Sequence, residues 1–439
     1  MPCCRLLLLA TLLRLCDPRS GYGGALSLYF GLSAGLQQLQ VSHISLGLRN
    51  NVFENCVVSV SVSGGNSYGG AVSIYMGAYS SRLNFSGHAA AAAAGDTVVR
   101  NVSITLDTAR FASCSAMREI IGLGNGSSVY GGSFSFYIGA YAWSRSEASS
   151  SNSSCGSTAV IGVDVRVKHA TSVDCRAFTH VRSLPNSNSQ STGANSYGGA
   201  MSVLYVGAYS WSRSNAASSS SKCEATNVSG VSVQISDSGC SNCSAVSSSL
   251  GDSVGANSYG GSMSALYVGA YSWSSSRSAS SSSKCEATNV IGVSVQISDS
   301  GCSNCSAVSS SERFAHGANS YGGAISVLYV GAYSWSRSNA AYSSSKCEAT
   351  NVSGVSVQVN NSGCTNCSAV SSTQRQSNGG NSYGGAMSVL FVGAYSYSLS
   401  DGGSQMTCDS SVAATRVSFF SIAMTNSSFQ HSMALFGEC

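Results

Sequence analysis

The sequence predicts a parallel β-solenoid, rich in serine and glycine, that is built from tandem repeats of 62 residues. The first observation is a Tyr-Gly-Gly motif whose last four copies, at Tyr197, Tyr259, Tyr321 and Tyr383, are each 62 residues apart. The second is an alternation of side-chain types after each motif, with the period of two that is typical of strands. The third is the position of the 3 prolines, at residues 2, 18 and 185, which leaves the regular repeats without any, as continuous hydrogen-bonded ladders require.

Each regular repeat contains two predicted strands with a Ser-rich stretch between them. In the copy that follows Tyr197, the first strand runs from Met201 to Trp211 and the second covers residues 231–235. The serines of residues 214–221 predict an exposed side loop. The Gly-Gly pair of the motif predicts a tight corner or a close approach of neighbouring backbones.

A solenoid grows by stacking units, so the 439 residues do not have to be divided among several globular domains. Residues 17–439 are therefore assigned to a single solenoid of about seven repeats. One step is irregular, because Tyr130 and Tyr197 are 67 residues apart. A lengthened loop near residues 176–196 explains the difference.

Residues 1–16 combine an early arginine with a short apolar run. They are interpreted either as a signal peptide or as the truncated start of a longer repeat array. The sequence contains no apolar run of about 20 residues, so no transmembrane segment is expected.

The composition restricts the partners and the compartment. The net charge is only +4, and the charged residues are scattered, which argues against nucleic acid as a partner. The 18 cysteines are many for a cytosolic protein, and an oxidising, extracellular compartment explains them best.

The end of each repeat carries a second motif, Phe-x-x-Cys or Cys-x-x-Cys. Together with Gly-Gly-Ala-Val at residues 69–72 and Gly-Gly-Ala-Ile at residues 322–325, it resembles the Phe-x-x-Asn and Gly-Gly-Ala-Ile repeat of chlamydial polymorphic outer membrane proteins and similar surface proteins. The first motif departs from that family, since cysteine stands where the family has asparagine. The resemblance implies a right-handed parallel β-helix on a cell surface.

Most of the repeated cysteines are predicted to be structural, either as disulfides or as buried apolar side chains. Zinc is disfavoured, because a structural zinc site normally brings two Cys-x-x-Cys pairs together, and no recurring histidine accompanies them. No cofactor or metal is predicted. The cysteines in question are Cys56, Cys114, Cys175, Cys223, Cys240, Cys243, Cys285, Cys302, Cys305, Cys347, Cys364 and Cys367.

Their pairing depends on how many coils one repeat contains. If one repeat is one coil, Cys243 stacks directly on Cys305, because adjacent strands are about 4.8 Å apart. If one repeat is two coils, that pair is about 10 Å apart, and Cys223 with Cys243 becomes the better disulfide. We favour the second arrangement and leave the first open.

The recurring aromatic residues allow two interpretations. Stacked in the interior they form part of the core, which we favour, and stacked on the surface they form a sugar-binding ladder. The residues of this aromatic ladder are Tyr205, Tyr209, Trp211, Tyr267, Tyr271, Trp273, Tyr329, Tyr333 and Trp335.

An enzyme would need a constellation of polar residues that occurs once in the chain. The most irregular charged stretch covers residues 164–182, where Asp164 and Asp174 are the candidate carboxylates of a polysaccharide lyase or hydrolase. Its first three members, Asp164, Arg166 and Lys168, alternate with valines, as do the residues on the solvent face of an ordinary strand, and we favour that interpretation. No catalytic residue is assigned.

Asn-x-Ser sequons fit a secreted glycoprotein. The candidate glycosylation sites are Asn84, Asn101, Asn125, Asn227 and Asn351.

The function expected from the sequence is a non-enzymatic extracellular or cell-surface repeat protein with a structural or adhesive role. Glycans or matrix proteins are the expected partners. The alternatives are a carbohydrate-active β-helix enzyme and a glycan-binding solenoid.

Overall fold

The protein consists of strands and turns in a computed structural model that covers most of the chain. Its strands are arranged in parallel sheets, as the sequence predicts. No helix long and apolar enough to cross a membrane occurs among the described residues. The structure describes residues 21–22, 25–34, 38–60, 67–84, 92–121, 128–147, 150–182, 191–192, 195–215, 218–250, 253–254, 257–264, 267–277, 280–312, 319–339, 342–374, 382–401, 408–412, 414–431 and 433–438.

The described part of the chain contains the following strands in chain order: β1 Gly21–Tyr22, β2 Leu26–Ala34, β3 Leu39–Glu54, β4 Val57–Val60, β5 Ser67–Tyr68, β6 Val72–Asn84, β7 Ala92–Ala94, β8 Thr97–Ala112, β9 Ser115–Ile121, β10 Val129–Tyr130, β11 Phe134–Ser146, β12 Ser150–Cys155, β13 Thr158–Lys168, β14 Thr171–Val173, β15 Arg176–Arg182, β16 Ser191–Thr192, β17 Ser196–Tyr197, β18 Met201–Ser214, β19 Ser218–Cys223, β20 Thr226–Ser236, β21 Gly239–Ser241, β22 Ser244–Leu250, β23 Ser253–Val254, β24 Ser258–Tyr259, β25 Met263–Ser264, β26 Tyr267–Arg277, β27 Ser280–Cys285, β28 Thr288–Ser298, β29 Gly301–Ser303, β30 Ser306–Glu312, β31 Ser320–Tyr321, β32 Ile325–Asn339, β33 Tyr342–Cys347, β34 Thr350–Asn360, β35 Gly363–Thr365, β36 Ser368–Gln374, β37 Ser382–Tyr383, β38 Met387–Asp401, β39 Cys408–Val412, β40 Thr415–Thr425, β41 Ser428–Gln430 and β42 Met433–Glu438.

Each turn of the chain contributes to five main sheets in a fixed order. Sheet 1 is the short corner sheet at the Ser-Tyr dipeptides. It is followed along the chain by sheet 2, sheet 3, sheet 4 and sheet 5. Their strands are β1, β5, β10, β17, β24, β31 and β37 in sheet 1; β2, β6, β11, β18, β25, β26, β32 and β38 in sheet 2; β7, β12, β19, β27, β33 and β39 in sheet 3; β3, β8, β13, β14, β20, β21, β28, β29, β34, β35, β40 and β41 in sheet 4; and β4, β9, β15, β22, β30, β36 and β42 in sheet 5.

One repeat forms one coil. In sheet 4, Val231 is paired with Val293 and Val293 with Val355, so residues 62 apart are direct neighbours across a parallel ladder. The expectation of two coils per repeat is therefore wrong. It assumed short strands, whereas β18 contains 14 residues and β20 contains 11, and a single circuit of five sheets uses the whole repeat.

The irregular step between Tyr130 and Tyr197 has two causes. The first cause is a longer chain segment after β15. The predicted loop starts directly after Cys175, but residues 176–182 form β15, so the extra residues begin after Arg182. The second cause shortens the step by one residue. Ser135 pairs with Ser202 but Tyr137 pairs with Tyr205, so β18 contains one residue more than β11. This register shift is a β-bulge, and it is kept in the coils that follow.

The Ser-rich stretch is part of the sheet structure. Ser218–Cys223 forms β19 in sheet 3, and only residues 215–217 separate it from the end of β18 at Ser214. The prediction of an exposed Ser-rich side loop is therefore wrong. The alternate serines point inward, and Ser212, Ser214 and Ser221 are at most 2% exposed.

The interior has an apolar half and a hydroxyl half. Between sheets 2 and 4, side chains such as Val206, Ala208 and Val233 form the apolar core. Between sheets 2 and 3, serine hydroxyls bond one another, for example Ser221 Oγ to Ser212 Oγ at 2.8 Å. Buried hydroxyls are tolerated when they are paired in this way.

Asparagines form further ladders at the corners. The backbone N–H of Asn257 donates to Asn195 Oδ1, and that of Asn319 donates to Asn257 Oδ1, both at 2.9 Å. At another corner Asn242 has a φ of 54°, in the left-handed region that asparagine tolerates better than most residues. This turn directs the cysteine that follows it inward.

The Gly-Gly pair makes both the corner and the close approach that the sequence predicts. Gly260 has a φ of 60°, which favours glycine. At Gly261 an added Cβ would lie 2.1 Å from the Gly323 carbonyl oxygen and 2.4 Å from the Ser306 backbone nitrogen. Neither backbone atom can move without breaking a ladder, so the second position admits no side chain.

We therefore expect Gly261→Ala to lower the free energy of unfolding by about 3 kcal/mol or more, in the range that marks a severe steric clash. Denaturant unfolding followed by circular dichroism measures it. Gly301→Ala is the matched control, because the nearest atom to its added Cβ is 4.0 Å away, and its effect should stay within about 0.5 kcal/mol. Equal effects of the two substitutions would contradict the assignment of Gly261 to a closed corner.

Candidate functional site

The recurring aromatic residues lie on the outer side of sheet 2. In the coils that contain Tyr205 and Tyr267, two tyrosines and one tryptophan point outward and are half-buried by their neighbours, as in the set Tyr205, Tyr209 and Trp211. The residues between them, Val206, Ala208 and Ser210, are buried in the interior. We call this surface the outer aromatic face. It comprises Tyr75, Tyr137, Tyr205, Tyr267, Tyr79, Tyr141, Tyr209, Tyr271, Tyr333, Trp143, Trp211, Trp273 and Trp335. The side chain of Tyr329 lies outside the described residues.

The favoured prediction that these rings form core is wrong. Met201 at the start of β18 is buried and Tyr205 is not, although both have odd numbers. An unbroken period of two would place them on the same side of the strand. The β-bulge between Ser202 and Tyr205 reverses the alternation and turns the later aromatic residues outward.

In the inner coils each ring is stacked on its equivalent in the next coil. The ring centroids of Tyr205 and Tyr267 are 4.7 Å apart with an interplanar angle of 3°, and those of Trp211 and Trp273 are 4.9 Å apart at 5°. Because both faces of an inner ring are covered by its neighbours, only ring edges are presented to solvent. A sugar binds an aromatic side chain through the ring face, so this arrangement does not supply a sugar platform within the stack.

Glycine between the tyrosines lets them lean together. A Cβ at Gly207 would lie 2.3 Å from Tyr209 Cε2 and 3.1 Å from Tyr205 Cε1, so the two rings close over the glycine. In the next coil the hydroxyl groups of Tyr267 and Tyr271 are hydrogen-bonded to each other. Burial raises the pKa of Tyr267 to about 12, which keeps this phenol protonated at neutral pH.

The cysteines form three rows along the axis of the solenoid. Of the 13 cysteines whose side chains the structure describes, all except the half-buried Cys56 are buried, and none is part of a disulfide. The described residues also contain no group of three or more His, Cys, Asp or Glu side chains arranged to hold a metal ion. The rows are Cys56, Cys114, Cys175, Cys243, Cys305 and Cys367; Cys240, Cys302 and Cys364; and Cys155, Cys223, Cys285 and Cys347.

The favoured disulfide between Cys223 and Cys243 is contradicted by the structure. Cys223 belongs to a small cluster with Cys155, Cys285 and Ala142, whereas Cys243 belongs to the main core. The proposed pair followed from two coils per repeat, and a one-coil repeat separates these side chains into different parts of the cross-section.

Cys155 is not among the cysteines predicted from the repeats. It stands in register with Cys223 at the end of β12, in a coil whose Ser-rich segment differs from the later copies. Its sequence signal is a cysteine shortly before a strand that starts with threonine. Ser-Cys-Gly precedes the strand that starts at Thr158, and Lys-Cys-Glu precedes the strand that starts at Thr226. Burial raises the pKa of the Cys155 and Cys223 thiols.

The charged stretch at residues 164–182 is distributed over two sheets and a corner. Asp164 forms an ion pair with Arg166 at 2.9 Å on the outer side of β13. His169 contacts Asp107 at 3.2 Å, and Asp174 is exposed at a corner with a φ of 55°. His180 lies on β15 in sheet 5, where its ring bonds Ser248. The two candidate carboxylates therefore do not converge in a shared groove.

The repeated lysines and glutamates link neighbouring coils on the outside. Lys222 Nζ lies 2.8 Å from Glu286 Oε1, and Lys284 Nζ lies 2.8 Å from Glu348 Oε1. The hydrogen bond from Lys222 lowers the pKa of the Glu286 carboxyl group. Lys222 and Lys284 are stacked in register, and each is paired with the glutamate of the next coil, which offsets the repulsion between the two lysines.

The candidate glycosylation sites differ in accessibility. Asn101 is exposed at a bend with a φ of 54°. Asn227 and Asn351 lie within strands of sheet 4 and are half-buried, and Asn227 Oδ1 accepts a hydrogen bond from Asn289 at 2.8 Å. The side chain of Asn84 and the whole of Asn125 lie outside the described residues.

Comparisons of the chain with models of protein families, with curated proteins and with solved structures find no match.

The aromatic stacks should contribute to stability. Trp273 has a ring 4.9 Å away on both sides, so we expect Trp273→Ala to cost about 1–3 kcal/mol for two stacked pairs, in addition to the loss of buried area. Denaturant unfolding of the variant measures the effect.

Tyr397→Ala is the control at the end of the same stack, where the ring is 6.5 Å from Trp335. Its cost should be clearly smaller. If both substitutions had the same effect, the outer rings would not be stabilised by one another.

Proposed function

We propose that the chain is a non-enzymatic, structural or adhesive repeat protein of the cell surface or the extracellular matrix, built as a right-handed parallel β-helix. The observation that carries the proposal is the repetition of outer side chains in register. Tyr205 stacks on Tyr267, Trp211 on Trp273 and Lys222 pairs with Glu286, so the polar and aromatic groups of the surface are engaged with the next coil.

A right-handed path is favoured by a general rule of chain topology. A connection that leaves a strand and returns to a parallel neighbour in the same sheet is right-handed in about 98% of known cases. Every coil of this chain makes such a connection, for example from β20 to β28. The likeness of the Gly-Gly-Ala-Ile motif to the repeats of polymorphic outer membrane proteins points the same way.

A structural role suits the surface better than catalysis does. A catalytic site needs several different groups that converge once, whereas the candidate residues Asp164 and Asp174 point to different surroundings. A glycan-binding role needs exposed ring faces, and the stacks cover them. The surface repeats ring edges, hydroxyl groups and paired charges from coil to coil, which suits lateral contact with an extended partner such as a matrix protein.

An extracellular location agrees with the side chains that the repeats use. Asn101 carries a sequon on an exposed bend, where an oligosaccharide has room. The many cysteines are typical of an oxidising compartment.

Cell fractionation with an antibody against the chain tests this proposal. We expect the protein in the medium or in the surface fraction, with a mass that falls on treatment with an N-glycosidase. Asn101→Gln should remove part of that mass difference, and Asn289→Gln, which changes a residue outside any sequon, should leave it unchanged. A protein found in the cytosol, without glycan, would contradict the proposal.

A further inference from the structure

The row Cys155, Cys223, Cys285 and Cys347 differs from the other two cysteine rows. Its members are fully buried and occupy the same position on four successive coils, at the ends of β12, β19, β27 and β33. The row is bounded by Ala94 in the preceding coil and by Val412 in the following one. In the other rows a cysteine such as Cys243 has sulfur neighbours in three directions, at Cys175, Cys240 and Cys305. In this row the neighbours lie only above and below.

The side chain of Cys155 is oriented differently from those of its three equivalents. The thiols of Cys223, Cys285 and Cys347 donate to the carbonyl oxygens of sheet 2, at 3.0, 3.0 and 3.1 Å. Cys155 instead approaches Cys223, and the two Sγ atoms are 2.6 Å apart. That distance is shorter than the contact of two non-bonded sulfur atoms and about half an ångström longer than a disulfide bond of about 2.05 Å.

The backbone also permits a bond between these residues. Cys155 and Cys223 are direct partners in a parallel ladder, where neighbouring strands are about 4.8 Å apart. Disulfides tolerate Cα separations of about 4.4–6.8 Å. A small rotation of the side chains therefore suffices to bring the two sulfur atoms to bonding distance.

We propose that Cys155 and Cys223 are oxidised to a disulfide that joins two successive coils, and that Cys285 and Cys347 form a second one. Each bond forms when two thiols lose two protons and two electrons. The oxidant is a small-molecule disulfide such as oxidised glutathione, which accepts them and is reduced to two thiols. Pairing in this order leaves no unpaired cysteine in the row.

The position of the row determines when oxidation takes place. Burial raises the pKa of both thiols, so little thiolate is present at neutral pH, and the oxidant has no access to the closed interior. The bond therefore forms before the two coils close on each other. Once formed, it ties residues that are 68 positions apart in the chain.

Disulfide mapping of the refolded full chain tests the proposal. The chain is reduced in denaturant, refolded with oxidised and reduced glutathione, treated with iodoacetamide in denaturant, and digested with trypsin without reduction. We expect the peptide that contains Cys155 to be linked to the peptide that begins at Cys223, after cleavage at Lys222. The same mapping should link the peptides that begin at Cys285 and Cys347.

Two variants identify the linked sulfur atom, because the peptide that starts at Cys223 also contains Cys240 and Cys243. The link to Cys155 should be lost in Cys223→Ala and retained in Cys243→Ala, which removes an equally buried thiol. If a variant does not refold, fragmentation of the linked wild-type peptides still decides, because it shows whether the carboxamidomethyl groups lie on Cys240 and Cys243 and leave Cys223 as the linked residue. Carboxamidomethyl groups on both Cys155 and Cys223 of the refolded wild-type chain, or a Cys155 link that survives in Cys223→Ala, would overturn the proposal. Because the oxidant is supplied in the experiment, the result is independent of where the protein resides in the cell.

Discussion

In-register stacking of like residues on successive parallel coils is the constraint on which the rest of the structure depends. Each residue of a regular coil has its own copy as a neighbour about 4.8 Å above and below, so a residue type is acceptable only if it packs well against itself. Serine, asparagine, tyrosine, tryptophan, cysteine and glycine meet that condition. Like charges do not, and charged residues make up only 9% of the chain. Where lysine and glutamate do recur, Lys222 and Lys284 reach across to the glutamates of the following coils.

The same constraint explains an interior that is only half apolar. Between sheets 2 and 4, valine columns exclude water, as in other β-sheet proteins. Between sheets 2 and 3, serines such as Ser212 and Ser221 replace them and bond to one another. Serine is small, and its hydroxyl group both donates and accepts, so serines on neighbouring strands can bond to one another.

The sequence predicts the repeated features of the fold well and its local irregularities poorly. The parallel strands and the glycine corner at Gly260 and Gly261 follow from periodicity and from the conformational freedom of glycine. The outward direction of Tyr205 does not, because a single inserted residue before it reverses the alternation and has no side-chain signature of its own. The strand Ser218–Cys223 is missed for a related reason, since serine has low strand propensity and usually solvates loops.

The cysteines are likewise predicted only in part from the sequence. Their recurrence identifies them as part of the repeat, but their pairing depends on the number of coils per repeat, which strand propensity alone does not determine. Cys155 and Cys223 become neighbours only once each repeat is known to make a single circuit through five sheets.

Nuclear Overhauser contacts between tryptophan rings test the one-coil repeat most directly. The chain has 4 tryptophans, at positions 143, 211, 273 and 335, so selective labelling of this residue in a deuterated background gives a spectrum that single Trp→Phe variants can assign. The structure predicts contacts from Trp143 to Trp211, from Trp211 to Trp273 and from Trp273 to Trp335, with ring centroids 5.2, 4.9 and 4.9 Å apart. Tryptophans without mutual contacts in the folded protein, as expected if each repeat made two coils and held the rings about 10 Å apart, would contradict the account.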